Sequence, residues 1–293
     1  MRNAFIQELV TLARQYPQIA LIVGDLGYSV IEPFADEFPD RFINAGIAEQ
    51  NMTGLAAGMA SEGYHVFTYS IANFPTFRCA EQIRNDVAYH NLPVTVVSVG
   101  GGLAYGALGY SHHAVQDYAL MRTMPNMLIA APGDSMETRA CLHYLVKNPS
   151  PSYLRLGKVS DRNFHTAPPA VLPGCWVKLR SSSGKRALLT TGASLEIAMK
   201  WSAKPEYADH AIYSMPLWSM AEKSAQIGML RGLDVGLTLE DHLQDGGFGS
   251  WLLEAKARDP TLTCVVSTMA LSAEVCGTVG SQSTLNQLGG LGA

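Results

Sequence analysis

Apolar positions along the chain switch repeatedly between a helical and an extended spacing. Over residues 2–15, Phe5, Leu9 and Leu12 fall on one stripe, which predicts an amphipathic helix. Ile19-Ala-Leu-Ile-Val23 is an unbroken apolar run closed by Gly24-Asp25, the mark of a buried strand. The loop Asp25-Leu-Gly-Tyr-Ser29 then leaves that strand's carboxyl end, where open α/β sheets carry ligand loops, although ordinary turn chemistry explains it equally well. A short strand, Arg41-Phe-Ile-Asn44, precedes a Gly/Ala-rich segment from Met52 to Gly63 in which Met52, Leu55, Ala56 and Met59 recur at helical spacing. His65–Tyr69 alternates as a strand, Glu81–Tyr89 has helical character, and Val94–Val99 is β-branched enough for the middle of a parallel sheet. Met127–Ala131 is a further strand. Beyond Pro132-Gly133, Asp134 can cap a helix with Thr138, Cys141, Leu142 and Leu145 on its apolar face.

This alternation ends near Ser152-Tyr-Leu-Arg155-Leu-Gly157, where Pro168, Pro169, Pro173 and the run Ser181-Ser-Ser-Gly-Lys185 interrupt it. It then restarts, with strands expected at Ala187–Thr191, His210–Tyr213, Val235–Leu239 and Leu262–Val266 and helices between them. The expected fold class is therefore α/β, with two consecutive α/β domains and mostly parallel sheets. The expected divisions are residues 1–160, a linker at 161–186, and residues 187–293.

Composition narrows the class. Of 293 residues, 47% are apolar and only 16% charged, enough for a large core and also an interface between subunits. A net charge of −4 without basic runs argues against nucleic acid as a partner. The five cysteines are odd in number and form no Cys-x-x-Cys pair, which fits reduced thiols. Polar residues interrupt Met1–Glu8 as a secretory core, and no stretch approaches the ~18 apolar residues of a membrane span. A cytoplasmic protein with no membrane partner is expected.

The candidate chemistry starts at Glu49. Its place at a helix start is explained by the helix dipole alone. Its apolar neighbours Gly46, Ile47, Ala48 and Met52 would equally dry the carboxyl and raise its pKa towards acid–base work. The glycine-rich loop from Gly100 to His113 fits neither common phosphate-binding pattern. Adjacent residues in a helix or strand point apart, so His112 and His113 are a poor pair for one metal ion, and no metal site is expected. Phe74 and Phe77 precede a helix and could be core or a stacking surface. Arg155 could bind a phosphate or form a structural ion pair, and Ser29 and Arg2 are weaker candidates for substrate contact.

The segment Gly46-Ile-Ala-Glu49-Gln-Asn-Met52, preceded by Phe38-Pro-Asp-Arg-Phe42 and followed by Ser111-His112-His113, resembles the pyrimidine-binding half of the transketolase family. The resemblance covers nearly the whole chain and implies thiamine diphosphate as cofactor. It gives Glu49 the role of hydrogen-bonding N1′ of the aminopyrimidine. It gives an aromatic from Phe74-Pro-Thr-Phe77-Arg78-Cys-Ala-Glu-Gln-Ile-Arg84 the role of stacking on that ring, Phe74 first and Phe77 in reserve. His112 matches the family's Thr-His histidine, which contacts reacting oxygens of the substrate, and His113 is the alternative. Arg155 matches an arginine that can bind a substrate phosphate. Glu240-Asp-His242-Leu-Gln-Asp-Gly246-Gly-Phe-Gly249 resembles the family's C-terminal element; His242 could reach the site, or could be scaffolding. Where the family has a sugar-binding aspartate, this chain has Leu108, so an unusual sugar is expected.

The family also holds the diphosphate through a divalent metal, using a Gly-Asp-Gly and a later Asn, and Gly24-Asp25-Leu26 is not that motif. The resemblance therefore implies a partner chain, the N-terminal-half subunit carrying that motif and most of the Mg2+ site, in an α2β2 heterotetramer. The implied activity is transfer of a two-carbon ketol unit from a ketose or ketose phosphate to an aldose. The alternatives are the β subunit of a 2-oxo acid dehydrogenase first component and a noncatalytic partner chain. A generic nucleotide-binding protein is disfavoured because its glycine fingerprint is absent.

Overall fold

The computed structural model describes residues 1–157 and 163–292. Seven strands form the first sheet: β1 (Ile19–Val23), β2 (Phe42–Asn44), β3 (His65–Ile71), β4 (Val94–Val99), β5 (Leu128–Ala130), β6 (Ser152–Leu156) and, from far along the chain, β10 (Leu217–Trp218). Their order across the sheet is β10-β5-β6-β4-β3-β1-β2. All neighbours run parallel except β10, which pairs antiparallel with β5. The second sheet is built from β7 (Val177–Arg180), β8 (Arg186–Thr190), β9 (Ala211–Ser214), β11 (Val235–Leu243) and β12 (Val265–Leu271), in the order β12-β11-β8-β9-β7. Only its edge strand β7 is antiparallel. Two mostly parallel sheets flanked by helices make this the expected α/β class.

The first sheet is apolar on both faces, as parallel strands require. Leu21 and Val23 of β1 point to one side, with Phe67, Val97, Leu154 and the helix Arg2–Gln15; Ala20 and Ile22 point to the other, with Val66, Val96 and the helix Glu49–Ser61. That second apolar layer continues through Tyr118, Ile129 and Trp218 to Leu189, Phe248 and Trp251 of the second sheet's side. The two sheets thus share buried apolar contacts, and β10 extends the first sheet from within the second half of the chain.

Several expected elements differ. The segment 161–186 contains β7, so it is less irregular than its prolines and serines suggested; the boundary at 160/161 lies outside the described residues. The last strand starts at Val265 rather than Leu262, because Leu262 and Cys264 bury in the preceding loop while the more polar Ser267-Thr268 pairs with β11. The helix expected at Glu81–Tyr89 widens to a π-helical turn over Ile83–Ala88. Among the described residues no helix is long and apolar enough to cross a membrane.

Candidate active site

The carboxyl ends of β1 to β4 carry four loops that converge, the side of a parallel sheet on which ligand sites form. After β2, Asn44 organises the turn: its Oδ1 accepts the N–H groups of Asp25 (3.1 Å) and Gly46 (3.0 Å), and its Nδ2 donates to Asp25 Oδ1 at 2.9 Å. The chain then enters the helix Glu49–Ser61 with Glu49 as its first residue, where unpaired N–H groups favour a carboxylate. Glu49 is only 1% exposed. Behind it lies Gly24 at the end of β1, where an added Cβ would come within 3.5 Å of Glu49 Cγ. That is ordinary van der Waals contact, so the end of β1 packs directly against the stem of the acid.

On the open side of Glu49 stands Arg78, whose Nη1 donates to Oε2 at 2.6 Å. The same guanidinium lies over the Phe74 ring, 4.6 Å from its centroid. Phe74 in turn meets the His112 ring edge-on at 5.2 Å between centroids. Asn73 ties the two loops together, donating from Nδ2 to the carbonyls of His113 (2.7 Å) and Ser111 (3.3 Å). Glu49, Arg78, Phe74 and His112 therefore form one continuous group built from the loops after β2, β3 and β4.

His112 is half-buried, and its Nδ1 lies 3.0 Å from Ser111 Oγ. Loss of water, and then the neighbouring His113, hold its pKa below the ordinary imidazole value, which favours a neutral ring at neutral pH. His113 faces inward: it is 1% exposed, with Nε2 3.3 Å from the Gly106 carbonyl. Of the two histidines, only His112 borders Phe74. Phe77 is 47% exposed on the outside of the same loop, and Ser29 is an exposed residue whose N–H donates to Glu32 Oε1 at 2.7 Å. Leu108 is exposed in the loop that carries His112.

Arg155, expected to meet a substrate phosphate, is placed otherwise. It is 3% exposed, and its donors are taken by the protein. Nε donates to Asp117 Oδ2 (2.7 Å), Nη1 to Asp241 Oδ1 (2.5 Å) and Tyr118 Oη (3.2 Å), and Nη2 to the Ala114 carbonyl (2.7 Å). A guanidinium so enclosed has no free edge for a ligand. It joins an aspartate beside the first sheet to one on β11 of the second. The glycine-rich loop serves this contact, since a Cβ on Gly101 would lie 2.5 Å from Arg155 Nε.

The C-terminal element is likewise structural. Glu240 is buried and accepts the N–H groups of Phe248 (2.5 Å) and Gly249 (2.8 Å) at the start of the helix Phe248–Lys256. A Cβ on Gly247 would strike its Oε2 at 2.2 Å. His242 is fully buried; Ala119 N–H donates to its Nε2 (3.4 Å), so Nδ1 carries the proton and donates to the Leu243 carbonyl (2.6 Å). Burial lowers its pKa to about 4, as expected for an imidazole used as scaffolding.

Sequence reasoning missed Arg78 and Asn73 as site residues. Both lie in the segment singled out around Phe74, but nothing in its spacing shows that Arg78 reaches back 29 positions to Glu49.

The converging loops and buried carboxylate stand on the side of the sheet where parallel α/β folds form ligand sites, and comparison with known proteins gives the family. Residues 1–161 match the family described as transketolase, pyrimidine binding domain. One of the subunits of apulose-4-phosphate transketolase from Phocaeicola vulgatus is 34% identical over 279 residues, covering 88% of this chain and 84% of its own. The protein of the same name from Actinobacillus succinogenes is 29% identical over 262 residues, with 88% and 83% covered. A solved structure described as a split gene transketolase, inactive beta4 tetramer, superposes with a TM-score of 0.84 at 29% identity, covering 99% of this chain and 93% of that one. The chain belongs to the transketolase family.

Proposed function

We propose that this chain is the β subunit of a two-chain, thiamine-diphosphate-dependent transketolase. It would transfer a two-carbon ketol unit from a ketose or ketose phosphate to an aldose. The observation that carries this reading is the Glu49 carboxyl, 1% exposed at the carboxyl ends of the strands and grouped with Phe74 and His112. A dry acid beside a flat ring fits the aminopyrimidine end of the cofactor. When bound, thiamine diphosphate would supply the nucleophilic carbon that the protein's own side chains lack.

The chain's own residues do the rest. Glu49, in a backbone position fixed by Asn44 and the helix start, would hydrogen-bond a ring nitrogen of the cofactor's aminopyrimidine. Phe74 would offer one face to the same ring. His112, neutral at working pH, takes and returns a proton at the substrate's reacting oxygens. Residues 1–160 and 187–293 act as the pyrimidine-binding and C-terminal units of this polypeptide.

The metal and the diphosphate fall to a partner, an N-terminal-half subunit carrying the Gly-Asp-Gly and Asn motif, with Mg2+, in an α2β2 assembly. Exposed apolar side chains around the Glu49 turn and the Phe74 loop, Ile47 at 79% and Phe77 at 47%, suit coverage by such a chain. The relatives named for apulose 4-phosphate make that sugar phosphate the first substrate to try.

The test is an assay of ketol transfer by the purified chain alone and together with its partner, with pyruvate and lipoate as the competing substrates. No turnover alone and ketol transfer by the pair is the expected result. Full activity of the isolated chain, or acyl transfer from pyruvate, would contradict the reading.

A further inference from the structure

Glu49 has a cationic neighbour that the proposed chemistry does not use. A carboxylate this dry needs compensation, and Arg78 supplies it through a 2.6 Å contact. The two sides of the pair are unequal: the Glu49 side chain is 1% exposed and fixed at a helix start against Gly24, whereas that of Arg78 is 44% exposed. Glu49 is fixed in the contact, whereas Arg78 has water on its outer side to swing into once another group takes its place at the carboxyl. The guanidinium also lies over the ring of Phe74, so one cation covers both the carboxyl and the aromatic face to which the cofactor's ring is assigned above.

We propose that Arg78 is a latch on this site: it closes Glu49 and Phe74 together while the cofactor is absent, and has to swing off both before the site can take an aminopyrimidine. This rests on the thiamine reading of Glu49. A latch held closed for most of the time lowers the apparent affinity for the ligand by the fraction of molecules that are open. Removing its charge then tightens binding without adding any contact. Because the gain comes from freeing Glu49, it disappears when Glu49 has no charge to pair.

The experiment is calorimetric titration of thiamine diphosphate, with Mg2+, into the reconstituted two-chain complex. It compares the native chain, Arg78→Gln, Arg78→Lys, Glu49→Gln and the Glu49→Gln/Arg78→Gln double variant. Arg78→Gln is expected to bind roughly fivefold to tenfold more tightly than the native complex. Arg78→Lys, which keeps the charge but not the planar fork, should fall between them. In the Glu49→Gln background, the Arg78 substitution should change the affinity by less than about twofold. The latch is overturned if the native complex binds and Arg78→Gln binds no more tightly, or if the tightening survives removal of the Glu49 charge. Absence of binding by every complex would overturn the thiamine reading itself, and the latch with it.

Discussion

Two arginine–carboxylate pairs, alike in chemistry, sit in different parts of this molecule. Arg78 meets Glu49 at 2.6 Å and Arg155 meets Asp117 at 2.7 Å. Both acids are shut away from water, at 1% and 0% side-chain exposure, and the difference lies in the cations: 44% exposed for Arg78, 2% for Arg155. Arg155 is surrounded, its three nitrogens shared among Asp117, Asp241, Tyr118 and the Ala114 carbonyl. Arg78 can leave. An enclosed pair joins parts of the fold, whereas a pair open on its cationic side leaves a buried acid that a ligand can claim.

The comparison is most severely tested at Arg155. Arg155→Met leaves Asp117 and Asp241 buried without their cation, a change expected to cost about 3–5 kcal/mol of unfolding free energy. Urea denaturation would measure it. A loss below about 1 kcal/mol would mean that this pair does not hold the two halves together.

A pH-dependent effect is expected at Glu240, beside Asp241 in sequence. Burial pushes its carboxyl up to about 8, from 4.5. The folded chain therefore keeps a proton that the unfolded chain has lost between these two values, so this group's contribution to stability falls as pH rises through that window. Denaturation midpoints measured across it should decline less for Glu240→Gln than for the native chain. Parallel profiles would show that Glu240 is already ionised when folded.

Smaller effects belong to the open pair. Arg78→Gln should cost less unfolding free energy than Arg155→Met, about 1–3 kcal/mol, because it leaves one buried carboxylate without its cation rather than two and its amide can still donate to Glu49. In the assembled enzyme, Phe74→Ala is expected to weaken thiamine diphosphate binding roughly tenfold and Phe77→Ala by less than about twofold, since a lost aromatic contact is worth about 0.5–1.5 kcal/mol beyond its area. Equal losses at the two positions, read by titration calorimetry, would move the stacking surface outward to Phe77.

How far the sequence discloses these differences depends on the range of the interaction. The helix Arg2–Gln15, the strand Ile19–Val23 and the Asp134 cap, whose Oδ1 accepts the Glu137 N–H at 2.8 Å, follow from local spacing and appear where expected. The burial of Glu49 was signalled by its glycine and alanine neighbours. Long-range matters were not legible. The two-residue strand Leu217–Trp218 is too short for any periodicity, and it joins a sheet whose other strands end some 60 positions earlier. Arg155 reads equally well as an anion binder until Asp241, 86 positions away, is seen against it. Arg78 lies inside a motif chosen for its aromatics, and its reach to Glu49 depends on how two loops are set by different strands.

The measurement closest to the central claim is turnover by the two-chain complex carrying Glu49→Gln, a near-isosteric change that removes the acid and keeps the shape. The variant should fold and assemble as the native chain does, while ketol transfer falls by about 10²–10⁴-fold. A complex that assembles and retains native turnover would show that the buried carboxyl of Glu49 takes no part in the chemistry.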